Sequence, residues 1–257
     1  MRIVSLCPSI TESLVEFGLK EELVGVTRYC VHPREAVAGI PKMGGTKNPD
    51  VAAIRAARPD LVFLNAEENR REDIEALSRD LAVDVSHPRR VADVPPLLRH
   101  FGRLTSRGAE AENWARRIDE EKDRLESGPR DPFRFVYLIW KAPWMTVGGA
   151  TYTSDLLRTV GGLNTFEEKY RGAPDYPEAG EDEIVAAHPD ILLLPDEPHR
   201  FGEVDAAWWR GRLPGTRVLR VAGDDFCWHG VRTLRGLAAA SPLGRPVGRE
   251  RRCRAPA

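Results

Sequence analysis

The sequence predicts an α/β protein of two Rossmann-like lobes with central parallel sheets, joined by a long helix. Three observations carry this expectation. Seventeen residues occur twice in recognisable form, as IRAARPDLVFLNAEENR over Ile54–Arg70 and as IVAAHPDILLLPDEPHR over Ile184–Arg200, with eight positions identical and an offset of 130 residues. A period of half the chain points to two similar lobes, whereas a period of 20–50 residues would mean a solenoid. Strand and helix patterns also alternate along each half, which is the signature of a parallel sheet covered by helices. Lastly, Gly108–Ser127 is rich in Ala, Glu, Arg and Lys, with no Pro and no Gly after its first residue. Twenty helical residues reach about 30 Å, enough to pass from one lobe to the other.

The elements follow in order. Arg2–Leu6 reads as a short strand. Ser9-Ile10-Thr11-Glu12 has capping-box spacing, Ile10, Leu14 and Phe17 recur at helical spacing, and Gly18 stops the helix. Leu23–Thr27 is a second strand, and Asn48-Pro49 supplies an N-cap and first-turn proline for a helix through Ala57. In each repeat copy a short helix is stopped by Pro and followed by a continuous apolar run, the pattern of a buried parallel strand. A third strand–helix unit spans Leu81 to Leu104. Past the long helix, Phe135–Trp140 is a strand, Ser154 caps a helix over Asp155–Val160, and Gly161-Gly162 closes it. Arg217–Val221 is the last strand and Gly230–Ala239 the last helix. The expected divisions are an N-terminal lobe over 1–105, the connecting helix over 106–128, a C-terminal lobe over 129–240 and a basic, frayed tail over 241–257.

At 257 residues, 42% apolar and 30% charged, the chain can bury a sizeable core. A net charge of −1 provides no field to recruit nucleic acid or an anionic membrane. The four cysteines, Cys7, Cys30, Cys227 and Cys253, form no CxxC pair, which excludes a disulfide-rich scaffold and a zinc ribbon. Met1-Arg2 runs directly into the first strand, and Pro8 and Glu12 interrupt any signal-like apolar core, so the expected location is the cytoplasm. Gly-rich phosphate loops, HExxH and GxSxG are all missing, and nothing in the sequence points to covalent catalysis.

Several stretches resemble the helical-backbone metal receptors, the class III periplasmic-binding-protein-like family that serves vitamin B12, haem and siderophore import. Arg2-Ile3-Val4-Ser5-Leu6-Cys7-Pro8-Ser9-Ile10-Thr11-Glu12 resembles their opening strand and loop. Pro41-Lys42-Met43-Gly44-Gly45-Thr46 with Asn48-Pro49-Asp50 resembles the loop entering their second helix. Arg58-Pro59-Asp60-Leu61-Val62 is their most recurrent motif. Tyr152-Thr153-Ser154-Asp155-Leu156-Leu157, with Gly161-Gly162-Leu163-Asn164, resembles the start of their second lobe. The ordered set spans roughly residues 2–240 and is closest to the cobalamin-binding branch. The resemblance implies capture of a small molecule in a cleft between lobes and docking on an ABC permease through an acidic residue before each Pro-Asp motif. The second copy has Asp182 and Glu183 there, whereas the first has Ala52 and Ala53, so half of the docking pair is missing.

Ligands of open α/β sheets bind at the carboxyl ends of the strands. The candidate ligand contacts are therefore Tyr29 and His32 after the second strand, and Glu68 and Asn69 after the first repeat strand. Trp140, Trp144 and Tyr152 are the candidates around the first strand of the second lobe. Trp228, His229 and Arg232 follow the last strand, in a segment that resembles one bordering the ligand in the cobalamin-like branch. Tyr29 and Trp228 offer stacking faces, His32 and His229 can donate a hydrogen bond or ligate a metal, and Arg232 can meet an acidic group. Trp208-Trp209 reads as the anchor of a surface helix. Cys30, His32, Cys227 and His229 together make a soft-metal site if they converge, though neither C-x-H spacing is a known zinc motif.

These readings give a binding protein that needs no cofactor and captures a metal-containing cargo: a corrinoid first, then a ferric siderophore or haem. A cytosolic enzyme or metal chaperone on the same scaffold is the alternative, since fold does not fix function.

Overall fold

The structure, a computed structural model, describes residues 1–245; the remainder of the expected basic tail, including Cys253, lies outside the described residues. By packing, the chain divides into two units. Met1–Glu120 clusters with Trp228–Arg235, and Glu121–Cys227 clusters with the described residues 236–245. The sequence reading placed 129–240 together; the structure instead packs the short segment Trp228–Arg235 with the N-terminal unit.

The N-terminal unit holds β1 (Ile3–Ser5), α1 (Pro8–Glu16), β2 (Leu23–Val26), α2 (Arg34–Val37), α3 (Val51–Ala56), β3 (Leu61–Asn65), α4 (Arg71–Ser78), β4 (Val83–Ser86) and α5 (Val94–Thr105). Its four strands are all parallel, in the order β2-β1-β3-β4. Val4, Leu6, Val62 and Leu64 pack with Ile54 and Leu77 on one face of this sheet. Phe63, on the alternate side of β3, meets Phe101 of α5 edge-on at 5.1 Å.

The long helix, α6 (Gly108–Ser127), is continuous over twenty residues, as the sequence predicts. It buries only Ala111, Ala115 and Ile118, which recur at helical spacing, and the packing boundary between the units falls within it, after Glu120.

The C-terminal unit holds β5 (Phe133–Trp140), β6 (Met145–Thr146), α7 (Tyr152–Thr159), β7 (Gly162–Asn164), α8 (Glu181–Ala186), β8 (Ile191–Pro195), α9 (Glu203–Arg212), β9 (Arg217–Val221) and α10 (Gly223–Cys227). A 3-10 turn over Gly230–Arg232 then leads into α11 (Thr233–Ala240). The sheet order is β6-β5-β8-β9, with β7 also paired to β5; all pairs are parallel except β5–β6. Val136, Leu138, Leu192 and Leu194 pack against Ile184, Phe201, Ala206 and Trp209. Trp209 is fully buried while Trp208 is 38% exposed, so the pair does anchor the surface helix α9.

The repeat is visible atom by atom. Its two copies give α3–β3 in one unit and α8–β8 in the other. Between helix and strand, Arg58 and His188 both adopt left-handed backbone, with φ 45° and 42°. The Pro-Asp motif has a mechanical task in both. Asp60 Oδ2 accepts the Arg2 N–H at 2.7 Å, and Asp190 Oδ2 accepts the Arg134 N–H at 2.7 Å. Each aspartate thereby ties the start of its own strand to the start of the neighbouring one.

Three caps differ from expectation. Pro8 pre-sets helical φ, so α1 begins there with Cys7 at the N-cap, and Ser9 and Glu12 fall inside the helix. The cap of α3 is Asp50, whose carboxylate accepts the Ala53 N–H at 2.9 Å, two residues beyond the expected cap Asn48. Thr151, not Ser154, caps α7 by accepting the Ser154 N–H at 3.3 Å. The end of α1 follows the sequence: Gly18 is left-handed, with φ 79°, and the Leu19 N–H returns to the Leu14 carbonyl at 3.0 Å.

Candidate functional site

In the N-terminal unit every strand delivers a buried polar residue at or just past its carboxyl end: Ser5, Thr27, Asn65 and Ser86, each 5% exposed or less. Buried polar groups are costly unless paired, and these are paired to one another and to α1. Thr11 Oγ1 donates to Ser5 Oγ at 2.8 Å and lies 3.1 Å from Cys30 Sγ, which is also 3.1 Å from Thr27 Oγ1. The Asn65 Oδ1 accepts the Glu67 and Glu68 N–H groups at 2.9 and 3.1 Å, which fixes the orientation of its amide. Its Nδ2 is therefore turned toward Ser86 Oγ at 3.4 Å and His229 Nε2 at 3.2 Å.

His229 lies at the centre of this layer. Its Nε2 faces the Asn65 donor and, at 3.2 Å, Ser9 Oγ. An amide donor on Nε2 requires that nitrogen to accept, which places the ring proton on Nδ1. Burial first, and then the charge of His87, lowers the His229 pKa from 6.5 to about 4, so the ring is neutral at pH 7. The Ser9–His229 contact is not a nucleophile–base pair of the usual kind. Both side chains are buried, and the third group bonds the same ring nitrogen instead of orienting the other.

Arg232, expected to meet an acidic group on the ligand, meets one inside the protein. Its Nε and Nη2 donate to the two Glu12 carboxylate oxygens at 2.7 and 2.8 Å, with the arginine side chain 2% exposed. The guanidinium also sits 5.0 Å from the centroid of the Trp228 ring, and Trp228 packs edge-on against His32 at 5.7 Å. Trp228 is only 9% exposed, so it backs the surface instead of standing open on it. His32 is half-buried, and Tyr29 is exposed with Arg28 5.7 Å from its ring centroid.

The Asn69 amide is engaged within the fold: Oδ1 accepts the Asn65 N–H at 2.8 Å, and Nδ2 donates to the Leu6 and Thr46 carbonyls at 3.1 and 2.9 Å. It is a framework residue, in contrast to the ligand contact expected from its failure to recur. Glu68 is exposed, while the protein crowded around its carboxyl raises its pKa against the opposing pull of Lys47 and a Thr46 hydrogen bond.

In the C-terminal unit the carboxyl ends of β5 and β8 carry aromatic rings. Trp140, 42% exposed, meets His199 edge-on at 5.4 Å, and His199 meets Phe201 at 4.6 Å. Trp144 was expected to contact the ligand beside the first strand of the second lobe. It stacks near-parallel with both Phe201 and Trp208, at 6.1 and 5.8 Å, and its indole N–H donates to Glu181 Oε1 at 2.9 Å. These contacts engage its ring and its donor within the unit. Tyr152 is buried in the first turn of α7. His199 was missed in the sequence, although the repeat offset places it at the counterpart of Asn69, on the loop after the second repeat strand.

The four candidate metal ligands are differently occupied. The Cys30 thiol lies between two threonine hydroxyls and burial raises its pKa, as burial pushes Cys7 up to about 12. Cys227 Sγ donates to Glu197 Oε1 at 3.4 Å, His32 packs on Trp228, and His229 bonds Ser9 and Asn65. Among the described residues, no three or more His, Cys, Asp and Glu side chains are grouped to hold a metal ion. Of the docking candidates, Glu183 bonds Lys169, Tyr170 and the Gly180 N–H, while the Asp182 side chain is fully exposed and 3.2 Å from Arg212.

Comparison with known proteins agrees with this architecture. The vitamin B12-binding protein of Vibrio parahaemolyticus is 24% identical over 243 residues, covering 93% of this chain and 86% of that one. The vitamin B12-binding protein of Pectobacterium carotovorum is 23% identical over 238 residues, covering 91% and 84%. Among solved structures, the periplasmic vitamin B12 binding protein of Vibrio cholerae superposes with a TM-score of 0.78 at 19% identity, covering 94% of this chain and 95% of that one. The periplasmic haem-binding protein of Roseiflexus sp. RS-1, in its apo form, does so at 0.79 with 21% identity and the same coverage. Among the described residues, no helix is long and apolar enough to cross a membrane. The profile described as "Periplasmic binding protein" matches residues 3–202, and the chain belongs to that family.

Proposed function

We propose that this binding protein captures a corrinoid. The observation that carries the reading is the pairing of exposed aromatic faces with a neutral hydrogen-bonding framework at the strand ends. Tyr29 is 52% exposed and Trp140 42% exposed, each at a carboxyl edge of its own sheet. The polar layer beneath the N-terminal edge is held by internal hydrogen bonds around a neutral histidine. A large macrocycle gains from aromatic faces that need no reorganisation, and it is oriented by a few polar groups already held in place. The curated relatives named as vitamin B12-binding proteins, matched over nearly the whole chain, support the same cargo.

Haem is the second reading, favoured by one observation: a haem-binding protein superposes as well as a vitamin B12-binding one. Delivery to an ABC permease completes the proposal, with Asp182 as the exposed acidic docking residue of the C-terminal unit. The corresponding position of the other unit is Ala52, and docking there would have to rely on other contacts.

The test is spectroscopic titration of the purified chain with cyanocobalamin, dicyanocobinamide, haemin and a ferric siderophore. One equivalent of corrinoid should bind, and Tyr29→Ala and Trp140→Ala should each weaken it by about 1–3 kcal/mol, the range for aromatic stacking platforms. Preferential binding of haemin would replace the corrinoid reading with the second one. Binding of none of the four would refute both.

A further inference from the structure

Glu12 and Arg232 are 220 residues apart in sequence and form a bidentate, nearly buried ion pair within the N-terminal unit. Burying such a pair strips water from both ions, and apolar residues of similar volume often stabilise a core as well or better. What the pair provides that an apolar contact does not is orientation, because two parallel N–H···O bonds fix the plane of the guanidinium. That plane is used. Its centre lies 5.0 Å from the Trp228 ring centroid, and the Trp228 ring lies against His32 at 5.7 Å with the planes at 66°. The backbone between them is clamped as well. Gly230 takes a left-handed φ of 82°, and the Val231 N–H donates to Ser13 Oγ at 3.2 Å on α1.

We propose that Glu12 and Arg232 are positioning residues: they hold Trp228, and through its ring the His32 imidazole, in the orientation that His32 presents at the carboxyl edge of the N-terminal unit. The proposal rests on the ligand reading above only for what His32 touches; the chain Glu12–Arg232–Trp228–His32 stands on geometry. Lysine at 232 would keep the charge and lose both the fork and the flat face. Arg232→Lys is therefore the informative change, and Glu12→Gln, which keeps the shape and removes the charge, is its partner.

The experiment uses the full chain labelled with 5-fluorotryptophan, the Trp228 resonance being assigned by its loss in Trp228→Phe, together with the titration of His32 followed by proton–nitrogen NMR. In Arg232→Lys the Trp228 resonance should shift and the His32 signals should move with it, while the other five tryptophan resonances stay in place. Cyanocobalamin, used as the probe, should bind more weakly, by up to about fivefold, the limit reached if the whole cation–π contact of roughly 1 kcal/mol serves to hold the binding orientation. In the Trp228→Phe background the same substitution should cost nothing further, because its effect passes through the indole. Additive losses in the double variant would overturn the proposal. So would unmoved Trp228 and His32 signals in both Arg232→Lys and Glu12→Gln, whatever the protein binds. If the wild-type chain binds no corrinoid the ligand reading falls, and the NMR measurements alone decide the positioning role. If Arg232→Lys fails to fold, Glu12→Gln carries the same two readouts.

Discussion

Acidification should act on this protein through His229. The ring is buried and neutral, with its pKa lowered to about 4, and its Nε2 accepts from the Asn65 amide N–H, a donor that cannot turn to accept from a protonated ring. In the unfolded chain the same histidine titrates near 6.5. The folded pKa is the lower one, so between the two values the unfolded state binds the extra proton and stability falls as pH falls. The linkage relation gives a loss of about 1 kcal/mol at pH 6, about 2 at pH 5 and about 3 at pH 4, levelling off once the folded ring also protonates. Other groups titrate in the same range. The raised Glu68 carboxyl works in the opposite sense, since its folded form takes up a proton first and gains stability on acidification. The measurement is therefore a difference: urea unfolding of the wild type and of His229→Gln at each pH, extrapolated linearly to water. The variant should be less stable at pH 7, where it disrupts the contacts to Ser9 and Asn65, and the gap should narrow by about 2 kcal/mol on going to pH 5. A gap that stays constant with pH, or an NMR midpoint for His229 near 6.5, would show that the ring is not held neutral by this site.

Two further outcomes follow from backbone geometry. Gly230→Ala should destabilise by about 2 kcal/mol or more in denaturant unfolding, because a left-handed φ of 82° is costly for any residue with a Cβ and that Cβ would press on Ser13 Oγ. Wild-type stability there would show that the segment relaxes away from α1. Asp60→Ala and Asp190→Ala should each cost about 1 kcal/mol, by removing the acceptor of a strand-opening N–H. Hydrogen exchange should report the first at Arg2 and the second at Arg134, and protection lost at neither amide would detach the Pro-Asp motif from strand pairing.

What was legible in the sequence was whatever depends on local pattern. Helix, left-handed residue, Pro-Asp and apolar strand recur at a fixed offset because each copy must solve the same packing problem with its own neighbours. The long helix was legible for a similar reason, as nothing in Gly108–Ser127 interrupts it. The candidate site was harder to read because its partners are remote. Ser9 and Glu12 fit a capping box in spacing, but Pro8 starts the helix earlier, and their real partners are His229 and Arg232, 220 residues on. Arg232 looked like a cation awaiting a ligand because its carboxylate is invisible in its own segment. Trp144 was read as a ligand contact because its stacking partners, Phe201 and Trp208, come from a later part of the unit. A signal for the polar layer was present, since each of the four strands of the first sheet ends on or beside Ser, Thr or Asn, and such an ending calls for a buried partner.

The repeat also separates scaffold from chemistry. Positions that shape the backbone agree in both copies: Pro59 and Pro189, Asp60 and Asp190, and the left-handed Arg58 and His188. Positions that face the strand ends have diverged. Asn65 is the hub of a buried amide–imidazole network, and its counterpart Pro195 has no side-chain donor or acceptor with which to build one. Asn69 stitches three backbone groups together, whereas its counterpart His199 packs between aromatic rings. Ala53 is inert where Glu183 bonds Lys169 and Tyr170. The N-terminal edge has thus become a rigid hydrogen-bonded framework and the C-terminal edge an aromatic surface, on one shared backbone.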